Sequence, residues 1–311
     1  MYSISSDLMC LPRQPLQTGS GLHNLRAQES TMKPKCLFML SLALHLQGAT
    51  TAQEETGVMS FNIRYDAASD GENRWEVRKD KVAGLMRWHG AHFIGAQEVL
   101  HHQLTYLSSS LKGYGSIGVG RDDGGTKGEY ACIFYDSSRY ERVRDSTFWL
   151  SPTPDAISRG WDAAIKRICT YGLFRSRVSG RMLWVFNTHF DHIGDTARLE
   201  SARLILARIE RLNAGKGWPV VLMGDFNARP GHPPIALLSS KMTNARDASI
   251  EPPYGPSDTW NAFRFDALPD GWIDHIFVSP KIRVRKYATV TDSYDRKYPS
   301  DHFPVMAVIQ W

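Results

Sequence analysis

The chain has 311 residues, of which 42% are hydrophobic and 22% charged, and a net charge of +5. This is ordinary globular composition, long enough for one large domain with a substantial core or for two small ones. Its charge permits a polyanionic partner without demanding one, and no repeat, low-complexity tract or charge block interrupts residues 57–311.

The first 52 residues read differently from the rest. Residues 1–31 show no periodic pattern and are expected to be either disordered or an artefact of a start codon assigned too early, Met32 being the true start. Met32-Lys33-Pro34-Lys35 is followed by an 11-residue apolar stretch, Cys36 to Leu46, and by the small residues Thr50 and Ala52. That is a secretory signal over 32–52, cleaved after Ala52, which predicts a secreted or periplasmic protein. The alternative is a cytosolic chain with a floppy apolar N-terminus. The apolar stretch is too short to span a bilayer, and no cysteine marks a lipid anchor, so no stable membrane anchor is expected. Residues 1–52 hold four basic residues (Arg13, Arg26, Lys33, Lys35) and two acidic ones (Asp7, Glu29), so without them the net charge falls from +5 to +3.

From residue 57 onward, short β-branched or aromatic runs bounded by Gly, Pro, Asp or Asn alternate with a few helical patterns. In chain order these are a strand at 58–65, a helix at 77–89, a strand at 93–98, a helix at 100–111 and strands at 130–135, 168–174 and 182–189. A helix at 195–213 follows, then strands at 219–225, 273–278, 284–290 and 305–309. Many strands with few long helices predict an α/β fold, a four-layer sandwich of two packed mixed β-sheets flanked by helices. A doubly wound nucleotide-binding sheet fits less well, because no glycine-rich turn follows the first strand. Residues 118–128, rich in Gly and Asp, read as a mobile loop. Cys132 and Cys169 fall in strands. If Glu129 and Arg167 both point to one site, alternation places Cys169 on Arg167's face and Cys132 opposite Glu129, which predicts two buried thiols rather than a bridge.

Chemistry-bearing residues collect at the ends of the predicted strands: Asn62, Glu98, Glu129, His189 with His192, Asp225 with Asn227, Asp274, and Asp301 with His302. Each alone has a bland reading. An acid at a strand end usually faces solvent or caps a turn, a strand histidine is usually structural, and Asn or Asp after a strand is an ordinary turn former. Together they form the pattern by which an α/β enzyme gathers distant groups into one cleft.

Six motifs carry a resemblance over residues 57–311. They are Ser60-Phe61-Asn62-Ile63, Gln97-Glu98-Val99, Asn187-Thr188-His189-Phe190, Gly224-Asp225-Phe226-Asn227, Ile273-Asp274-His275-Ile276 and Ser300-Asp301-His302-Phe303-Pro304-Val305. Together they resemble the endonuclease/exonuclease/phosphatase superfamily of deoxyribonuclease-I-like metal-dependent phosphoesterases. Within it, the chain is similar to a secreted bacterial branch related to deadenylase-type exonucleases. The resemblance implies metal binding by Glu98 and Asp301, with Asn62 supporting the metal or the phosphate. Oxygen ligands of this kind select a hard cation, Mg²⁺ or Mn²⁺. Asp225 is expected to orient or deprotonate the attacking water, and Asn227 to hold that water or a phosphate oxygen. His302, steered by Asp274, and His189, paired with Glu129, are expected to contact phosphate as cations, each carboxylate raising its imidazole's pKa. Arg167 falls near a phosphate-contacting arginine of the nucleases, although the acid that accompanies it there is absent. His192 is a further phosphate or leaving-group contact.

The resemblance thus implies hydrolysis of a phosphate ester, with a nucleic-acid or nucleotide phosphodiesterase favoured. Glu129 and the basic residues Arg64, Arg121, Lys127, Arg159 and Arg167, in segments that border the cleft, support that reading. A phospholipid (sphingomyelinase-like) or inositol-phosphate hydrolase is the alternative, and an inert binding protein on the same fold is a third. The segment Phe148 to Pro154 with Trp161 is read either as a platform for a base, a sugar ring or a lipid headgroup, or as packing between two strands. Nothing in the sequence indicates an obligate oligomer, so a monomer is expected.

Overall fold

In the computed structural model, which describes residues 54–311, twelve strands form two six-stranded sheets. The extension at 1–31, the leader at 32–52, Cys10 and Cys36 lie outside the described residues. The first half runs β1 (Glu55–Asn62), a short 3-10 turn (Ala68–Asn73), α1 (Trp75–His89), β2 (Phe93–Val99), α2 (His101–Ser110), β3 (Tyr114–Ile117) and β4 (Tyr130–Asp136). The second runs β5 (Tyr140–Trp149), β6 (Ile168–Ser176), β7 (Met182–His189), α3 (Asp195–Asn213), β8 (Val220–Asp225), α4 (Pro233–Ser239), β9 (Thr243–Asn244) and β10 (Asp274–Val278). The chain then returns to the first sheet as β11 (Arg283–Thr289) and β12 (Val305–Gln310). Strand order is β11-β12-β1-β2-β4-β3 in one sheet and β5-β6-β7-β8-β10-β9 in the other.

Each sheet is mixed, with one parallel pair, β1–β2 or β7–β8, and antiparallel neighbours. A parallel pair needs a crossover, which α1 and α3 supply. Alternation along the strands divides the apolar residues among three cores. Val58, Phe93, Phe174, Val185, Val221 and Val305 pack between the sheets. Met59, Phe61 and Ile94 pack under Val82, Leu85 and Met86 of α1, while Trp184, Phe186 and Leu222 pack under Ala202 and Ile205 of α3. The expected four layers result. In the inter-sheet core, Phe93 and Phe174 meet edge to face at 4.9 Å, and truncating either to alanine is expected to cost about 3–5 kcal/mol.

Near the top of the sandwich the two sheets are joined by amides rather than hydrocarbon. Gln97 donates to Asn187 Oδ1 at 2.7 Å, and Asn187 Nδ2 donates to the carbonyls of Ala96 and Cys132 at 3.0 and 2.7 Å. The sheets approach closely here because Gly95 has no side chain: a Cβ would lie 2.7 Å from Asn187 Oδ1. These buried amides fix the relative position of the strands that carry the site.

The predicted helix at 195–213 is observed with the same limits, and the other two predicted helices shift by one or two residues at their ends. Strands β3, β5 and β9 and helix α4 were not anticipated. β5 carries Glu141, Arg142, Arg144 and Asp145 along an exposed edge, the charged pattern that protects a sheet edge and hides a strand from a hydrophobicity reading. Phe148 and Trp149 are its buried end, which favours the packing reading of that segment. The 118–128 loop, expected to be mobile, is tied down. Asp123 accepts the backbone N–H groups of Gly125 and Lys127, and Trp149 Nε1 donates to Arg121 O at 2.8 Å. Cys132 and Cys169 are free and buried on the outer faces of different sheets, as alternation predicted. Among the described residues, no helix is long and apolar enough to cross a membrane.

Candidate active site

The C-terminal ends of the two parallel pairs meet at one end of the sandwich, and strand register does most of the positioning. His189 of β7 pairs with Asp225 of β8, and Asp225 pairs with Asp274 of β10. From the other sheet, β1 ends at Asn62, whose Nδ2 donates to Glu98 Oε1 and to Asp225 Oδ2, both at 3.0 Å. A register shift in β2 after Ala96 and a left-handed backbone at Glu98 (φ 61°) deliver the Glu98 carboxylate to this end. Arg64 (φ 58°) and Asn227 (φ 46°) share that conformation. Strained backbone of this kind gathers where a site dictates side-chain direction.

Asp225 is the hub. It is buried, its Oδ1 accepts the backbone N–H of Asn227 at 2.9 Å, and its Oδ2 lies 3.4 Å from His189 Nε2 and 3.9 Å from His302 Nε2. Burial, with the charge of Asp274 beside it, pushes its carboxyl up to about 7. A carboxylate balanced near neutrality has the basicity needed to take a proton from water. His302 Nδ1 bonds to Asp274 Oδ2 at 2.8 Å, and Thr259 Oγ1 donates to the same oxygen at 2.6 Å. Burial alone would lower the imidazole's pKa, but the charge and hydrogen bond of Asp274, with Asp225 and Asp301 nearby, hold it well above its usual value. These contacts favour the cationic form of His302.

His189 differs. The expected Glu129–His189 pair is absent: Glu129 is gripped instead by Arg121, through two hydrogen bonds of 2.9 and 2.7 Å. Burial, then the nearby Arg167 and Arg121 guanidiniums, lower the His189 pKa well below its ordinary value. His189 is consequently a neutral imidazole. Glu129, Arg121, Arg167 and His189 line one small recess.

Arg167 points into that recess. It is buried; its Nη2 donates to His192 Nδ1 at 3.1 Å, its Nε lies 3.5 Å from Asp191, and neither Nε nor Nη1 makes a hydrogen bond. The acid missing beside it in sequence is thus supplied by Asp191. Four backbone N–H groups, those of Ala164, Ile165, Ile193 and Gly194, hold that carboxylate. Because an arginine can only donate, His192 Nδ1 is an acceptor, and its neutral ring carries the proton on Nε2. Asn227 Nδ2 donates to Phe190 O at 3.0 Å, which fixes its amide beside Asp225.

Glu98 and Asp301 face a common guanidinium, with Arg64 Nη1 at 3.9 Å from Glu98 and Arg64 Nε at 4.0 Å from Asp301. Arg64 is itself held by Asp70 at 3.0 and 2.9 Å. Burial and the Glu98 charge push the Asp301 carboxyl up, although His302, Arg64 and Arg78 oppose the shift. Two oxygen-donor acids whose charges are poorly compensated fit a hard divalent cation. Asp225, Asp274 and His302 also place one ligand-type atom each within 4.8 Å of one another, forming a buried group of metal-binding type. The 2.8 Å bond between His302 Nδ1 and Asp274 makes that group a proton-handling set rather than the better cation site.

Sequence reading missed the supports. Arg78, buried on α1, donates to the carbonyls of Ile63, Arg64, Asn73 and Pro299, which joins the loop after β1 to the loop before β12. It lies between Val77 and Lys79 in a helical pattern and carried no signal. Thr259 lies in an irregular segment and Asp70 in the short 3-10 turn, and neither carried a signal.

Comparison with known proteins adds one family match and three similar structures. Residues 59–302 match the sequence profile of the Endonuclease/Exonuclease/phosphatase family. A mannosyl-6-phosphatase from Bacteroides thetaiotaomicron VPI-5482 is 38% identical, superposes with a TM-score of 0.80, and the match covers 82% of this chain and 99% of that one. An endonuclease/exonuclease/phosphatase from Bacteroides vulgatus is 36% identical with a TM-score of 0.78, covering 83% and 99%. The human nocturnin catalytic domain with bound sulfate anion, at 20% identity, a TM-score of 0.65 and coverage of 83% and 97%, shares the fold.

Proposed function

Because the chain belongs to the endonuclease/exonuclease/phosphatase family, a family of phosphoester hydrolases, we propose that it is a divalent-metal-dependent phosphomonoesterase acting on a phosphorylated sugar, exported by the leader at 32–52. The observation that carries the monoester reading is the state of the arginines. The nucleic-acid reading relied on Glu129 and on Arg64, Arg121, Lys127, Arg159 and Arg167 in segments bordering the cleft. Arg64 and Arg121 are each engaged by a carboxylate through two hydrogen bonds. Arg167 donates only to His192, and its Nε and Nη1 are buried without a hydrogen-bond partner beside the recess that Arg121, Glu129 and His189 also line. One buried guanidinium with spare donors, beside His189 and His192, suits a single terminal phosphate group better than a strand of phosphates, which needs a track of cations. The 38% identical mannosyl-6-phosphatase supports a sugar as the alcohol.

In this reading Glu98 and Asp301 hold Mg²⁺ or Mn²⁺, with Asn62 fixing Glu98. The bound cation supplies Lewis-acid stabilisation of charge on the phosphoryl oxygens. Asp225, oriented by Asn62 and by the Asn227 N–H, accepts the proton of the attacking water. His302, kept cationic by Asp274, stabilises negative charge that develops on the phosphoryl group. Arg167 and the Nε2–H of His192 bind its remaining oxygens, and neutral His189 donates a hydrogen bond beside Asp225.

The test is release of inorganic phosphate from mannose 6-phosphate and p-nitrophenyl phosphate, against cleavage of bis-p-nitrophenyl phosphate, single-stranded RNA and duplex DNA, with Mg²⁺, Mn²⁺ or EDTA. The expected outcome is metal-dependent monoester hydrolysis. More efficient cleavage of the diester or of either nucleic acid would overturn the monoester reading in favour of a nuclease.

A further inference from the structure

We propose that the outer face of the first sheet carries a second binding site, a cleft for a neutral oligosaccharide. The cleft has a volume of about 670 Å³, within the range of small-molecule sites. None of Glu98, Asp225, Asp274, Asp301 or His302 lines it. It exists because α1 covers Met59 and Phe61 of β1 but ends at His89, where left-handed Gly90 turns the chain away. The neighbouring floor, formed by Gly57, Ala288, Met306 and Val308, stays open.

Two aromatic side chains border this floor, Trp88 at 85% exposure and Tyr254 at 77%. Both stand on fixed backbone. Trp88 belongs to the last turn of α1, and Tyr254 is bonded through its N–H to Tyr287 O and through its carbonyl to Thr289 N, both along β11. Large aromatics so exposed on rigid elements are preorganised contact surfaces rather than packing residues. Between them Arg285 joins Glu55 at 2.9 Å and Glu251 at 3.0 Å, and His89 meets Asp292 at 3.0 Å. These charged groups are partly exposed, so they can still exchange hydrogen bonds with a ligand.

The chemistry of the lining selects the class of ligand. Glu55, Glu251 and Asp292 nearly balance Arg285 and Lys286, so the cleft offers no field for a polyanion. A peptide strand cannot add to β11, because the backbone of residues 250–254 already occupies that edge. An apolar helix needs a continuous apolar stripe, which the ion pairs interrupt. A sugar ring matches both halves of the lining, with its C–H face against an aromatic ring and its hydroxyls toward carboxylates and a guanidinium. The inference stands apart from the phosphoesterase reading, since its test measures binding and not turnover.

Titration of the protein with neutral manno-, gluco- and galacto-configured tetrasaccharides, followed by calorimetry and tryptophan fluorescence, is expected to show saturable binding of at least one series. Trp88→Ala and Tyr254→Ala should each raise its Kd about ten-fold or more. Circular dichroism should stay unchanged, because both side chains are exposed. No binding of any series at concentrations up to about 10 mM, or binding that both variants retain, overturns the proposal. Concentration-dependent dimerisation abolished by Trp88→Ala also overturns it, by assigning the face to a second copy of the chain.

Discussion

Asp225→Asn separates the ionisation of this carboxyl from its place in the fold, and it should make the protein more stable while removing its chemistry. Burial, with Asp274 alongside, lifts the group from 3.8 to about 7. A carboxyl with a folded value above its unfolded one binds its proton more tightly in the folded protein. Wild-type stability therefore falls as pH rises through that window, and the full penalty applies above about 7. The shift corresponds to ~4 kcal/mol. Asparagine keeps an amide oxygen for the Asn227 N–H, but its NH₂ group then opposes the Asn62 amide. Loss of that one hydrogen bond reduces the expected gain to about 2–3 kcal/mol. The assay is thermal unfolding of both proteins in EDTA at pH 5 and pH 8, which keeps metal binding out of the comparison. The melting point of the variant relative to wild type should rise between the two pH values, by about 2–4 °C per kcal/mol for a domain of this size. Phosphoester turnover with metal restored should fall by about 10²–10³. A difference in melting point that does not change with pH, or that favours the wild type at pH 8, would refute the claim that Asp225 is held near neutrality.

Asp274→Asn removes the charge behind His302. Turnover should fall by about 10²–10³, and the His302 ring, observed by ¹⁵N NMR, should titrate at lower pH than in the wild type; an unchanged titration would show that Asp274 does not sustain the cation. Burial pushes the Cys132 thiol up to about 12 and raises that of Cys169 as well, so both should resist thiol reagents in the folded protein and react once it is unfolded. A 132–169 disulfide found by non-reducing mass spectrometry would contradict the placement of these residues on opposite sides of the sandwich.

What the sequence revealed of the fold and site follows from where the information resides. Strands buried on both faces, such as β7 and β8, appear as unbroken apolar runs, and parallel pairing brings their C-terminal ends together. His189 and Asp225 therefore become neighbours as a consequence of register. Asn62, Glu98, Asp274, Asp301 and His302 were legible for the same reason, since each stands at or beside the end of a core strand. Edge elements were not. β5 exposes its charged residues to solvent, and β9 has two residues, Thr243 and Asn244, whose pairing depends entirely on β10.

The misassigned pair shows the deeper limit. Glu129 opens a core strand, and a carboxylate near His189 was anticipated there. Its partner was decided by the 118–128 loop, which folds back so that Arg121 N reaches Glu129 O at 3.1 Å while the two side chains join. A bidentate arginine–carboxylate bond is strong and local, so it forms in preference to a longer reach across the sheet ends. The consequence spreads beyond the pair. With Glu129 engaged, His189 lacks the paired carboxylate that would have kept it protonated, and Arg121 commits two of its N–H groups to Glu129. The groups at the strand ends set the reaction class. The loop ion pairs decide which cations remain available to a substrate, and turn geometry rather than residue identity determines those pairs. In this chain that geometry leaves the buried guanidinium of Arg167 facing the recess beside Asp225, which is why the number of phosphates engaged, and not the chemistry of cleavage, is where this protein is expected to depart from the nucleases it resembles.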